Sequence, residues 1–223
     1  MTVKVIIFDF DGTVADTLDA IVSITNRLAI EFGYKPITPE EIAQVRKLSS
    51  REIIKESGIP IFKIPFLIKR VKENLRSDIQ QLNPVSGIKE ALIHLHSEDK
   101  ILGILTSNSE ANVKDFLKQH DMQELFSFVF SANTLFGKHK VLRKIMIHNN
   151  WESHEVIYVG DETRDIVSSK KINMKVIAVS WGFNSEEALA EQNPDFLIAH
   201  PRELLEIIGS LKEPALFSND CSS

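Results

Sequence analysis

Apolar residues run unbroken from Val3 to Phe8 apart from Lys4, and the run ends at Asp9. Short apolar runs of this kind read as strands buried on both faces of a parallel sheet. Similar runs recur at Ile101–Leu105, Phe126–Phe130, Val156–Val159, Lys175–Val179 and Phe196–Ile198. Between them lie segments with apolar residues at helical spacing: 86–97, 110–119, 140–149, 163–171, 185–191 and 202–211. Strands alternating with helices predict βαβ units and a parallel sheet.

Between the first and second strands the pattern is different. Leu18 to Phe32 carries helical periodicity and stops at Gly33. Thr38-Pro39-Glu40-Glu41 restarts a helix, with Thr38 at the N-cap, Pro39 in the first turn and Glu41 at the capping-box position. A short helix over 50–57, a connector over Pro60–Pro65 and a longer helix over Phe66–Gln81 follow, with no convincing strand. The expected organisation is an α/β core from residues 1–13 and 84–211, an inserted all-helical segment over 14–83, and a polar tail over 212–223. An insert leaving just after the first strand sits over the sheet's carboxyl edge, where open α/β sheets bind ligands. It reads as a lid.

Composition narrows this reading without redirecting it. The 223 residues are 43% hydrophobic and 26% charged, and net charge is −5 with no dense Lys/Arg block. That argues against a nucleic-acid surface. The single cysteine, Cys221, permits no internal disulfide, and no apolar run is long enough to span a membrane. The expected location is the cytoplasm.

The candidate chemistry stands at or near the strand ends. Asp9 and Asp11 are two positions apart, so an extended backbone points both the same way. Carboxylates that close repel each other and raise each other's pKa unless a cation or proton intervenes. The alternative is two solvated turn aspartates. Thr106-Ser107-Asn108 follows the second strand. Ser107 and a helix N-terminus could hold an anion, or Ser107 or Asn108 could simply cap the helix. Lys138, after Gly137, could neutralise a phosphate or the carboxylates; a surface lysine is the competing reading, and Lys140 competes for the role. Gly160-Asp161-Glu162-Thr163-Arg164-Asp165 places two aspartates one helical turn apart after another strand, a ligand set suited to Mg²⁺. The alternative there is a capping aspartate with Arg164 as a surface partner.

In this order, Asp9-Phe10-Asp11-Gly12-Thr13-Val14, Thr106-Ser107-Asn108, Lys138 and Gly160 to Asp165 resemble the four motifs of the haloacid dehalogenase-like hydrolase superfamily, and the insert resembles its small helical cap. The layout is similar to phosphoglycolate phosphatase-like members. The resemblance implies a Rossmann-like five-stranded parallel sheet, with the first strand flanked by those leading to Ser107 and Asp161. It implies an Mg²⁺-dependent phosphatase acting on a small phosphorylated metabolite, with Asp9 as nucleophile and Asp11 as general acid and base. Asp9, the Asp11 carbonyl and Asp161 would hold the metal, with Asp165 just behind. Ser107, Asn108 and Lys138 would hold phosphate. A phosphosugar mutase shares these motifs and is the main alternative; a catalytically silent binding or scaffold protein is a third. The acid at Asp11 separates the chain from the superfamily's dehalogenases. The cap's specificity region, Val45 to Ser50, lacks the usual glycine, and Arg46, Lys47 and Arg51 are candidates for a substrate carboxylate or second phosphate, with plain surface charge on a cap helix the competing reading.

Overall fold

The structure is a computed structural model and describes residues 3–132 and 137–211. Six parallel strands form one sheet: β1 (Val5–Phe8), β2 (Ile101–Thr106), β3 (Phe128–Ser131), β4 (Val156–Gly160), β5 (Lys175–Val179) and β6 (Phe196–Ile198). Their order is β3-β2-β1-β4-β5-β6. β1 is central, with Val5 in register with Ile101 on one side and Val156 on the other. The expected flanking strands are therefore in place. The sheet has six strands rather than five, because the short Phe196–Ile198 run pairs with β5 as an edge strand.

The β1 run is apolar throughout because both its faces are covered. Ile6 and Phe8 pack on one side with α5 (Ile88–Ser97), α6 (Glu110–Gln119) and α10 (Glu203–Ser210). Val5 and Ile7 pack on the other with α7 (Lys138–Asn149), α8 (Thr163–Lys170) and α9 (Glu186–Glu191). Burying such side chains is worth about 1.5–3 kcal/mol each, which fixes this strand's position.

Four helices lie between β1 and α5: α1 (Leu18–Phe32), α2 (Pro39–Val45), α3 (Ser50–Glu56) and α4 (Ile64–Asp78). α1 ends at Gly33, whose φ of 76° lies in the left-handed region and whose N–H bonds back to Ala29. The α2 capping box forms: Glu41 Oε2 accepts from the Thr38 N–H at 3.0 Å. α4 starts earlier than the sequence pattern suggests. Pro65 lies in its first turn, where a missing N–H costs nothing, and the preceding connector contains a 3₁₀ turn over Ile61–Lys63. The helical segment has a small core of its own: Ile24, Leu28, Phe32 and Leu75. The strands of chain leading into and out of it run side by side, with the Asp16 N–H on the Asn83 carbonyl at 2.9 Å and the Val85 N–H on Val14 at 3.0 Å. No helix among the described residues is long and apolar enough to cross a membrane. The tail over 212–223 lies outside the described residues.

Candidate active site

The ends of β1, β2 and β4, with the start of α7, bring five charged side chains together. The Asp9 N–H continues the ladder onto the Val159 carbonyl at 2.8 Å, so Asp9 leaves the sheet in register beside β4. Asp9, Asp161 and Asp165 are buried, and one carboxylate oxygen from each lies within 4.8 Å of the others. Lys138 is buried among them. Its Nζ donates to Asp9 Oδ2, to Asp165 Oδ1 at 2.7 Å and to the Tyr158 hydroxyl at 2.9 Å, so all three of its protons have acceptors. Tyr158 in turn donates to the Leu105 carbonyl at 2.9 Å. Burial works against the lysine's charge, but Asp165 and Asp9 outweigh it and raise its pKa above the ordinary value. The choice of Lys138 over Lys140 follows from position. Lys138 is 1% exposed at the first position of α7, whereas Lys140 is exposed.

One ammonium cannot balance three buried carboxylates. Asp161 is the one left without an ion pair among the described residues. It accepts from Thr13 Oγ1 at 2.7 Å and from the Phe183 N–H at 2.7 Å. Burial, followed by the charges of Glu162, Asp9 and Asp165, drives its pKa well above the carboxylate range. Burial first, then the charge of Asp9, pushes Asp165 to about 6 against the pull of Lys138. Gly12, at φ +74°, and Gly182 crowd this carboxylate. A Cβ at either would stand 2.2 Å from Asp161 Oδ2. An all-oxygen, buried, under-neutralised cluster fits a small hard divalent cation.

Asp11 as a residue is half-buried. Burial, then the neighbouring Asp9 charge, pushes its pKa to about 7, while a hydrogen bond from Asn108 Nδ2 at 3.0 Å opposes the shift. Asn108 is held in turn: its Oδ1 accepts from the Ser109 N–H at 2.8 Å and from Asn112 Nδ2 at 3.0 Å. Its side chain is thus directed to Asp11 and to the start of α6. Ser107 Oγ accepts from Arg164 Nη2 at 3.4 Å. Arg164 also pairs with Glu162, and the Ser50 hydroxyl, from the helical segment, donates to Glu162 Oε2 at 2.7 Å. Lys47 pairs with Glu187 at 2.9 Å on the surface. Arg46 turns to the core: its guanidinium donates to the carbonyls of Ser180, Gly182 and Phe183.

Sequence reasoning missed Tyr158, Arg164's place inside the site, and the backbone role of the Trp181–Asn184 turn. Tyr158 sits in an apolar strand and reads as core. The turn acts through backbone groups, which leave no trace in side-chain pattern.

A family model described as haloacid dehalogenase-like hydrolase matches residues 6–179. The chain belongs to that family. The chain is 36% identical over 208 residues to a phosphoglycolate phosphatase of Synechococcus elongatus, covering 93% of this chain and 98% of that protein. It is accordingly an enzyme of the phosphatase kind. Among solved structures, a predicted phosphatase from Clostridium acetobutylicum superposes with a TM-score of 0.81 at 19% identity, covering 94% of this chain and all of that one, 100%. A chain from Thermotoga maritima described as a candidate beta-phosphoglucomutase superposes at 0.66 with 22% identity, covering 94% and 100%. These two likenesses are likenesses of fold.

Proposed function

We propose that the chain is an Mg²⁺-dependent, cytoplasmic phosphomonoesterase that hydrolyses a small phosphorylated metabolite through a phosphoryl group carried on Asp9. The observation that carries this reading is the unequal environment of the two aspartates. Asp9 forms an ion pair with Lys138, whereas burial and then the Asp9 charge push Asp11, two residues on, up to about 7. Two neighbouring carboxyls in such different surroundings can divide nucleophilic and acid–base work.

In the first step an Asp9 carboxylate oxygen attacks phosphorus and the bond to the leaving oxygen breaks. Asp11 gives its proton to that oxygen, so the alcohol departs neutral. Asn108 keeps the Asp11 carboxyl aimed, which is a different task from the phosphate contact expected of it. In the second step Asp11, now ionised, takes a proton from water as the water attacks phosphorus. The P–O bond to Asp9 breaks, and inorganic phosphate and the free carboxylate are restored. Lys138 stabilises the charge on Asp9 and on the phosphoryl oxygens, and Ser107, with the backbone N–H groups at the start of α6, holds those oxygens. The Asp9 and Asp161 carboxylates and the Asp11 carbonyl would hold the cation, with Asp165 beside them. When bound, the ion offsets carboxylate repulsion and polarises the phosphoryl group.

Residues 14–83 act as a cap over the core formed by 1–13 and 84–211. A cavity of about 790 Å³ separates them, lined by Ile64, Ile68 and Lys72 of α4 and by Ser109 and Asn112 of the core. Asn112 of its lining donates to Asn108, which in turn donates to Asp11, so the leaving group is assigned to this cavity. Phosphoglycolate is the first substrate to try, since the Synechococcus relative is named for it.

The test is a panel of phosphomonoesters with Mg²⁺, with and without EDTA. Release of inorganic phosphate that EDTA abolishes is expected. A hexose 1-phosphate converted to its 6-phosphate without phosphate release would establish the mutase reading instead. A folded chain inert across the panel would establish the non-enzymatic one.

A further inference from the structure

We infer that Arg46 is a positioning residue for the metal-binding carboxylate Asp161, acting through a single peptide group of the turn that follows β5. The inference rests on the reading of Asp161 as a metal ligand.

Arg46 caps the carboxyl end of α2 and reaches across to the core. Its Nε donates to the Phe183 carbonyl at 3.3 Å, and its Nη2 donates to the carbonyls of Ser180 at 3.2 Å and Gly182 at 2.9 Å. The next group along is decisive. The Gly182 carbonyl and the Phe183 N–H belong to the same peptide plane. The carbonyl end receives Arg46, and the N–H end donates to Asp161 Oδ2 at 2.7 Å. One peptide dipole therefore stands between a guanidinium and a carboxylate, with each end facing the charge it prefers. A cation on the carbonyl polarises the group and strengthens its N–H as a donor.

The turn is pinned on its other sides as well. The Asn184 N–H reaches the Asp161 carbonyl at 3.2 Å, and Asn184 Oδ1 accepts from the Thr163 N–H at 2.9 Å. Asn184 Nδ2 returns to the carbonyls of Arg46 at 3.0 Å and Leu48 at 2.9 Å, and the Ser185 N–H donates to the Arg46 carbonyl at 2.8 Å. Gly182 has no room for a Cβ, so the turn lies directly against Asp161. The same residue thus docks the helical segment and sets the orientation of Asp161. Groups that orient a ligating carboxylate typically matter 10–100-fold for metal affinity. A lysine cannot replace Arg46, because a compact ammonium lacks the planar fork that spans three carbonyls.

The experiment is calorimetric titration of Mg²⁺ into substrate-free full-length protein: wild type, Arg46→Ala, Arg46→Lys, and Lys47→Ala as a control on the same segment. Roughly tenfold or greater weakening is expected for Arg46→Ala, with Arg46→Lys failing to restore wild-type affinity and Lys47→Ala unchanged. Thermal melts establish that each variant is folded, and Arg46→Lys serves where Arg46→Ala is not. Unchanged Mg²⁺ affinity in the folded Arg46 variants overturns the inference while leaving the metal reading intact. An increase in KM for substrate with metal affinity unaltered also overturns it, since Arg46 would then be a substrate contact. A wild-type protein that takes up no Mg²⁺ overturns the metal reading and the inference with it.

Discussion

Every residue of β1 from Val5 to Phe8 is buried, whereas α2 and α3, further along the chain, bury none. The sheet is packed on both faces by six helices, and the helical segment relies on one small cluster around Ile24, Leu28, Phe32 and Leu75. The charged groups divide along the same line. Asp9, Lys138, Asp161 and Asp165 are all buried on the core side, while Arg51, Lys69 and Arg76 of the helical segment are exposed. A buried set of charges needs a frame that cannot relax, and strands locked by two layers of helices supply it. Contact with a variable leaving group needs no such rigidity. Under the proposed function, chemistry falls to the dense region and selection of substrate to the sparse one.

The comparison can be broken most severely at Lys138. Replacing it by methionine strips two buried carboxylates of their partner, which costs about 3–5 kcal/mol for a broken buried pair. A chemical denaturation curve should show that loss. A near-neutral result would mean the core cluster is more hydrated than its burial implies.

Asp11→Asn is next. It removes the proton donor but keeps the shape, and should lower kcat by roughly 10²–10⁴-fold, the usual range for a general acid–base group. It should also remove a pH effect. Wild-type activity limited by leaving-group protonation should fall as pH rises above about 7, because Asp11 then loses the proton it must donate. Steady-state rates on substrates with good and poor leaving groups will show the fall only for the poor ones.

Leu75→Ala sharpens the contrast between regions. Leu75 is 1% exposed in the small cluster, and truncation there should destabilise by about 2–5 kcal/mol. Hydrogen exchange should show the loss over α1 and α4 while β1 and β4 stay protected. Equal loss of protection in the strands would make the two regions one cooperative unit.

The smallest effect is a pH-dependent stability. Folding raises Asp11 to about 7 and Asp165 to about 6, both above the ordinary carboxylate value. The metal-free native state therefore holds protons that the unfolded chain has released. The contribution of these two groups to stability is greatest at low pH and falls as pH rises from about 4 toward 7. Mg²⁺ should counter that fall, so the increase in Tm on adding Mg²⁺ should be larger at pH 7.5 than at pH 5.5, in assays at those two chosen values. An equal increase at both would separate metal binding from these carboxyls.

Much of the site was legible because its residues stand at or near strand ends, and strand ends are visible as breaks in apolar runs. Asp9, Asp11, Ser107, Asp161 and Lys138 were found this way, and the structure brings all five to one edge of the sheet. The rest was hidden for identifiable reasons. Tyr158 looks like any aromatic in a buried strand. Arg164 entered only as a surface partner in the alternative reading of its stretch, because nothing local shows that α8 turns it toward Ser107 and Glu162. Arg46 looked like a free cation for a substrate, since its three acceptors are carbonyls more than 130 residues away in sequence. The sixth strand was visible as an apolar run, although the family resemblance implied five.

The central claim is that Asp9 carries the phosphoryl group, and Asp9→Asn tests it most directly. The substitution keeps the side chain's size and leaves an amide oxygen toward Lys138, so the fold, checked by thermal melt, should survive. With Mg²⁺ and an aryl phosphate, whose leaving group needs no proton, the account predicts that turnover falls by roughly 10⁴-fold or more, as for loss of a nucleophile. A folded Asp9→Asn enzyme that keeps wild-type turnover would contradict it.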